Sequence, residues 1–105
     1  MRILELFSEY NKLKYKKKKG NKMIKIIFDP NLKRSIAYDE KEKIGECIFV
    51  EEGNQWNITH TEVDNRYQGQ GIARELVENI MEEAKANKKE VKATCSYAKK
   101  VINKK

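Results

Sequence analysis

The chain has 105 residues, of which 39% are hydrophobic and 37% charged, enough apolar material for one small domain and not for two. No stretch reaches the roughly 18 apolar residues of a membrane-spanning helix, so we expect no membrane span. The sequence begins with a short apolar stretch and then becomes polybasic. A secretory signal has the reverse order, and the sequence therefore predicts a cytoplasmic protein.

The cysteine and histidine content argues against a metal site. Cys47 and Cys95 are far apart in sequence and form no CxxC pair, and His60 is the single histidine. Zinc sites need three or four such ligands, so we expect no metal. Two cysteines are enough for one disulfide, although a reducing cytosol favours free thiols.

The net charge of +7 is unevenly distributed. Residues 1–22 hold eight Lys or Arg and two Glu, whereas residues 23–105 hold fifteen basic and fourteen acidic residues. A DNA-binding domain usually carries its basic surface on the fold itself. We therefore expect nucleic-acid binding to be weak at most, and to involve residues 1–22 only.

Residues 1–22 are expected to form a basic leader, either without fixed structure or as a short helix, ahead of a domain at residues 23–105. Ile3, Leu4, Phe7 and Leu13 have the spacing of a short amphipathic helix. Three interpretations stay open. The leader is a solvated arm, an extension upstream of a natural start at Met23, or a basic tail that binds acidic partners or nucleic acid.

Four strands are predicted in the first part of this domain, at residues 23–28, 34–38, 44–50 and 55–63. Turn signals separate them at Asp29-Pro30-Asn31, at residues 39–43 and at residues 51–54. Because these connections are short, the sequence predicts an antiparallel meander.

The apolar period changes at Ile72 and predicts a helix that ends near Ala86. A fifth strand is predicted at residues 90–95, and Ser96 is expected to cap a final short helix. The fold class is therefore α+β, with a meander followed by a β-α-β unit and a short C-terminal helix. The crossover should make the fourth and fifth strands parallel neighbours in a right-handed connection.

A glycine-containing loop at residues 64–71 connects the fourth strand to the long helix. Gly69 and Gly71 allow a sharp turn and a close approach of the backbone to a ligand. Successive N–H groups at a helix N-terminus bind anions such as pyrophosphate, and the flanking Arg66 and Arg74 can add positive charge. The Gly-x-Gly pattern alone is also compatible with an ordinary turn. It matches neither the dinucleotide fingerprint nor the Walker loop.

The segment Gln68-Gly69-Gln70-Gly71-Ile72-Ala73 resembles the Q/R-x-x-G-x-G/A signature of the GNAT acetyltransferase superfamily. The stretch Ile58–Val63 before it, and Leu76-Val77 and Thr94-Cys95-Ser96-Tyr97 after it, are similar to the short stand-alone GNAT-like domains. The resemblance covers residues 23–103 and implies an N-acetyltransferase.

This resemblance implies that the fourth and fifth strands splay apart and hold the pantetheine arm of acetyl-CoA, the cosubstrate. The end of the fourth strand, Thr61 to Val63, would bond the arm through its backbone. The loop amides would hold the pyrophosphate. The expected cofactor-binding residues are Thr61, Val63, Arg66, Gln68, Gly69, Gln70, Gly71, Ile72, Ala73 and Arg74.

Catalysis requires a base for the acceptor amine, and His60 and Glu62 are candidates, directly or through water. Simple alternation places both on the face of Trp56 and Ile58, with Thr61 on the opposite face. The register decides which of the two meets the substrate. The alternative is a strand histidine and a solvated glutamate with no chemical role.

Cys95 and Tyr97 follow the fifth strand. Cys95 is either a small buried hydrophobe on the face of Val91 and Ala93, or a thiol near the acetyl group that lines the site or accepts the acetyl. The resemblance implies that Tyr97 donates a proton to the leaving thiolate. Its alternative role is to pack on the final helix.

The sequence lacks the paired N-terminal helices with which larger GNAT enzymes build their acceptor site. We therefore expect an acceptor pocket that is small, open or completed by another subunit. The leading hypothesis is transfer of acetyl from acetyl-CoA to a primary amine. The alternative is a non-enzymatic acyl-CoA-binding or interaction module. The acceptor and the oligomeric state stay open.

Overall fold

A computed structural model describes residues 13–18 and 22–103, and the side chains of residues 24–103. The strands are β1 (Leu13–Lys18), β2 (Lys22–Asp29), β3 (Arg34–Asp39), β4 (Glu42–Glu52), β5 (Gln55–Val63) and β6 (Glu90–Ala93). The helices are α1 (Ile72–Ala86) and α2 (Ser96–Asn103), and a 3-10 helix spans Asn65–Tyr67.

The strands form one six-stranded sheet in chain order. Neighbours from β1 to β5 are antiparallel, and β6 pairs parallel to β5 after the crossover through α1. The predicted α+β class and antiparallel meander are thus confirmed. The predicted fourth and fifth strands are β5 and β6, and they are parallel neighbours as expected. The predicted start of α1 at Ile72 is also confirmed.

The strand β1 was not predicted from sequence. It pairs with β2 from Leu13 opposite Ile27 to Lys18 opposite Lys22, inside the expected leader. The expected boundary after residue 22 therefore lies within the β1–β2 pair. Lysines are common on edge strands, where their charge discourages pairing with other chains. The amphipathic helix predicted from Ile3 to Leu13 lies outside the described residues except for Leu13, which belongs to β1.

One side of the sheet packs against α1, and we call it the helix-facing side. Ser35 of β3 defines this side, because its buried hydroxyl donates a hydrogen bond of 2.9 Å to the Leu76 carbonyl of α1. On the same side, the rings of Phe28, Phe49 and Trp56 stack with centroids 4.4 to 5.9 Å apart. Trp56 is thus a core residue.

The helix α1 buries the stripe that its apolar spacing predicts. Its buried apolar residues are Ile72, Leu76, Val77, Ile80 and Ala84. Ala98 and Val101 of α2 belong to the same hydrophobic cluster. A large apolar side chain buried in such a cluster contributes about 1.5–3 kcal/mol, so this packing holds α1 against the sheet.

Within residues 13–18 and 22–103 there is no helix long and apolar enough to cross a membrane. The same residues contain no group of three or more His, Cys, Asp or Glu side chains that could hold a metal ion.

Candidate active site

A β-bulge in β5 decides which side chains face the helices. The register of β4 with β5 shifts between Ile48, opposite His60, and Phe49, opposite Ile58, so that Thr59 is the extra residue. An extra residue reverses the alternation of every side chain that follows it. Before the bulge, Ile58 faces the helices. After it, Thr61 does, because Thr61 lies opposite Cys47 and Cys47 lies opposite Ser35.

The bulge corrects the alternation expected from sequence. His60 and Glu62 do not share the face of Trp56 and Ile58, since they point away from the helices and are exposed. His60 Nε2 and Glu62 Oε1 are 2.9 Å apart and form an exposed pair. The structure therefore brings these two candidates together on the open side of the sheet.

The two parallel strands separate where the site begins. The ladder of β5 and β6 ends at Ile58 opposite Ala93. The N–H groups of Thr94 and Cys95 then both bond to the Ile58 carbonyl, at 3.0 and 3.2 Å, so the chain turns away from β5. Beyond Ile58, β5 therefore has no strand partner on the side of β6.

A cleft of about 480 Å³ opens at this point. It is lined by the end of β5, the glycine loop, the first turn of α1 and the start of α2. The lining residues are Thr61, Glu62, Val63, Tyr67, Gln68, Gly69, Gly71, Ile72, Ala73 and Tyr97. Seven of the ten cofactor-binding residues expected from sequence are among them, and so are Glu62 and Tyr97.

The glycine loop ends in a helix N-terminus that opens into the cleft. Gly69 and Gly71 have φ values of 82° and 81°, a region that other residues rarely adopt. Gly71 is the N-cap of α1 and has no side chain to bond the first amides. The first helical bond runs from Glu75 N to Gly71 O at 3.1 Å. The N–H groups of Ile72, Ala73 and Arg74 therefore have no carbonyl partner within the helix. Such groups can bind an anion.

Gln68 and Tyr67 shape the wall of the cleft. The Gln68 amide nitrogen donates to the carbonyl of Val63 at 3.4 Å and to Asn65 Oδ1 at 3.2 Å. Tyr67 is 4% exposed, and its hydroxyl donates to Asp39. That hydrogen bond to the carboxylate, together with burial, raises the pKa of Tyr67 to about 12. No local sequence pattern indicates this hydrogen bond between Tyr67 and β3.

The two arginines expected to add charge are already paired. Arg66 bonds to Asp64 at 3.0 Å and to Glu42 at 2.5 Å, and it does not line the cleft. Arg74 bonds to Glu78 at 3.0 Å on the exposed surface of α1. Their roles in ligand binding stay predictions, but each would have to act as part of an ion pair.

Cys95 occupies the position before α2, where Ser96 was expected to be the cap. The helix begins at Ser96, and the Lys99 N–H bonds to the Cys95 carbonyl at 3.0 Å. Burial raises the pKa of the Cys95 thiol, but its hydrogen bonds with the Ala98 N–H, the Thr61 side chain and the Tyr97 N–H outweigh burial and lower that pKa. Thiols at helix N-termini generally behave in this way.

The other two groups near this thiol keep their protons. Burial raises the pKa of Cys47 to about 12. Burial also raises the pKa of Tyr97, although the positive charge of Arg74 partly offsets it. Tyr97 is 39% exposed and lines the cleft, so its hydroxyl is a proton donor at neutral pH.

Gly45 is a site-positioning residue that the sequence did not reveal. A Cβ at Gly45 would lie 3.0 Å from the Glu62 carbonyl oxygen and 3.3 Å from Leu76 Cδ1. The absence of a side chain lets α1 approach the end of β5. No local sequence signal distinguishes this glycine from one in a turn.

The protein is thus an α+β domain whose parallel strands separate beside a glycine-capped helix N-terminus. A family model described as GCN5-related N-acetyl-transferase matches residues 34–105. Because this is more than half of the chain, the protein belongs to the GCN5-related N-acetyltransferase family, a family of acyltransferases.

One solved structure similar to the chain is the crystal structure of a GCN5-related N-acetyltransferase from Sphaerobacter thermophilus. The two chains are 24% identical, and the TM-score is 0.56. The match covers 62% of this chain and 21% of the other, so this chain spans a small part of that protein's length. At this identity the similarity shows the fold. No curated protein matches the chain.

Proposed function

We propose that the protein binds acetyl-CoA in the cleft and transfers the acetyl group to a primary amine. The observation that carries this proposal is the separation of β5 and β6 directly beside a glycine-capped helix N-terminus. This arrangement offers a strand edge and a row of amides to one extended, anionic ligand. Family membership supports acetyl transfer as the reaction class.

The first turn of α1 fits a pyrophosphate. Ile72 and Ala73 line the cleft, and Gly71 places no side chain beside their amides. The positive end of the helix dipole favours an anion at this position. Gln68 to Ala73 would hold the phosphates mainly through the backbone, because Arg66 and Arg74 are paired with carboxylates.

The end of β5 fits the pantetheine arm. Residues 61–63 pair with β4 on one side and have no β6 partner on the other. An extended chain with amide groups can bond to such an edge as an added strand does. The Gln68 side chain, which bonds to the Val63 carbonyl, would have to move if the arm used that carbonyl.

The candidate catalytic groups lie at opposite sides of this edge. Glu62, oriented by His60, would accept the proton of the amine, whose nitrogen attacks the acetyl carbonyl. The bond from the carbonyl carbon to sulfur then breaks, and Tyr97 would give its proton to the leaving thiolate. Glu62 faces the open side of the sheet, so a large acceptor can reach it. A cytoplasmic location remains part of this proposal.

The first test is calorimetric titration of acetyl-CoA and free CoA into the protein. Gly71→Glu should abolish binding, because it places a negative charge beside the phosphates. Gly53→Glu is the matched control, since Gly53 also has a positive φ, of 63°, and open space around it, but lies in the β4–β5 turn. Absence of binding to the wild type would contradict the acetyl-CoA proposal.

The second test separates an enzyme from an acyl-CoA-binding module. CoA release is followed with a panel of polyamines, lysine peptides and small amines. Glu62→Gln should lower kcat by about 10²–10⁴-fold and leave acetyl-CoA affinity unchanged. Tyr97→Phe should also lower kcat with little change in KM. Binding of acetyl-CoA without transfer to any amine would favour the non-enzymatic module.

A further inference from the structure

A second, smaller cavity lies between the two helices, next to the cleft, and we call it the interhelix pocket. Its volume is about 160 Å³, and it is lined by Arg74 of α1 and by Tyr97, Lys100 and Val101 of α2. Tyr97 also lines the cleft, so the two spaces share one wall. Val101 is buried, whereas Arg74 and Lys100 are exposed. Two cations from separate helices therefore border one solvent-accessible space.

Both cations have hydrogen-bond donors that are available to a ligand. Lys100 makes no ion pair with another residue of the range 24–103, whose side chains the structure describes. Arg74 donates from Nε to Glu78 Oε2 at 3.0 Å, and its two terminal amino groups have no partner among the same residues. Glu78 thus orients the guanidinium and leaves its outer edge open. Arg74 also lies in the first turn of α1, where the helix dipole disfavours a cation and a bound anion would offset that effect.

We propose that the interhelix pocket binds the 3′-phosphate of CoA, with Arg74 and Lys100 as the residues that hold it. This inference rests on the proposed function, because this phosphate belongs to the molecule whose pyrophosphate would bind at the first turn of α1. Lys100 is not among the cofactor-binding residues expected from sequence. The pocket would make the protein select CoA over its form without the 3′-phosphate.

The position of the pocket fits the chemical structure of CoA. The ribose ring alone separates the 3′-phosphate from the pyrophosphate, so the two groups are on the order of one helical turn apart. The backbone N–H of Arg74 belongs to the turn that would hold the pyrophosphate, whereas its side chain lines the interhelix pocket. A ligand bound at that turn would therefore have its ribose phosphate within reach of the Arg74 side chain. Lys100 would approach the same phosphate from α2.

The charges of the pocket favour a phosphate monoester. Such a group carries a charge of about −1.5 to −2 at neutral pH and has three acceptor oxygens. A guanidinium group can bond to two of these oxygens at once, and an ammonium group binds as a compact charge. Among the described residues, none with a carboxylate lines the pocket. The pyrophosphate would be held by backbone N–H groups, so the 3′-phosphate is the part of CoA whose binding depends on side-chain charge.

Calorimetric titrations of CoA and of 3′-dephospho-CoA test the inference, because the two ligands differ only in this phosphate. We expect the wild type to bind CoA about tenfold more tightly, as for one charge-assisted hydrogen bond that is partly exposed to solvent. Lys100→Gln should lower the affinity for CoA about fivefold and that for 3′-dephospho-CoA less than about twofold. Arg74→Gln should act in the same direction. The double variant should lose the preference, and added salt should weaken it in the wild type.

Lys99→Gln is the matched control. Lys99 is the neighbouring exposed residue of α2 and lines neither the cleft nor the interhelix pocket, and its replacement changes the net charge equally. This variant should keep the wild-type preference for CoA. Lys100→Arg retains the charge and should keep the preference as well. Circular dichroism checks that each variant is folded.

Equal affinity of the wild type for the two ligands would overturn the inference and leave acetyl-CoA binding intact. A preference that persists in the double variant would also overturn it. So would an equal loss in Lys99→Gln, because general surface charge would then explain the effect. If the wild type binds neither ligand, the proposed function fails and the inference fails with it. If Arg74→Gln does not fold, Lys100→Gln and Lys99→Gln still decide.

Discussion

Cys47 should make the fold less stable as the pH rises above 9, and serine at this position should remove the effect. The thiol is 0% exposed, and burial raises its pKa from 9.0 to about 12. The native thiol therefore keeps its proton in a range where the unfolded chain loses it. The unfolded state binds fewer protons there, so stability falls as the pH rises from 9 towards 12.

The size of this effect follows from the two pKa values. At pH of about 10.5 the unfolded thiol is about 1.5 units above its pKa while the native thiol is still protonated. Each unit corresponds to about 1.4 kcal/mol, so the free energy of unfolding falls by about 2 kcal/mol relative to pH of about 7.5. Cys47→Ser does not ionise in this range and should lack this loss.

Urea unfolding of wild type and Cys47→Ser, under reducing conditions at both pH values, measures the difference. Lysine and tyrosine ionisation is common to both proteins and cancels. Cys95→Ser is the informative comparison, because the pKa of Cys95 is lowered in the native state. Wild type should gain stability relative to Cys95→Ser as the pH rises through the native pKa towards the unfolded one.

Equal pH dependence in wild type and Cys47→Ser would refute the argument, because it would mean that the buried thiol ionises as easily in the native state as in the unfolded chain. The same pH dependence of stability in Cys47→Ser and Cys95→Ser would refute the opposite directions assigned to the two pKa shifts.

Three further variants test contacts of residues around the site. Gly45→Ala should lower the free energy of unfolding by about 1–3 kcal/mol, measured by urea titration, because its Cβ would press on the Glu62 carbonyl and Leu76. Ser35→Ala removes the buried hydrogen bond to Leu76 and should cost about 1 kcal/mol in the same assay. Arg66→Gln should change CoA affinity less than about tenfold by calorimetry, because Arg66 is an exposed residue already paired with carboxylates. A larger loss of affinity would show that its charge reaches the ligand.

The sequence predicted what depends on local patterns. The helix α1 begins at the predicted Ile72 because its apolar residues recur at the helical period and its N-terminus follows a glycine turn. The hairpins follow from turn residues such as Asp29-Pro30-Asn31. The glycine loop was found because positive φ at Gly69 and Gly71 requires a residue type that is visible in the sequence.

Only the tertiary structure decided which side chains share the site. The extra residue Thr59 reverses the faces of β5, turning Thr61 towards the helices and His60 and Glu62 away from them. A bulge depends on pairing with β4, which no local pattern records. The meeting of Cys47, Thr61 and Cys95, and the approach of Leu76 to Gly45, likewise join residues distant in the chain. Periodicity specifies an element, but register and packing between elements specify the site.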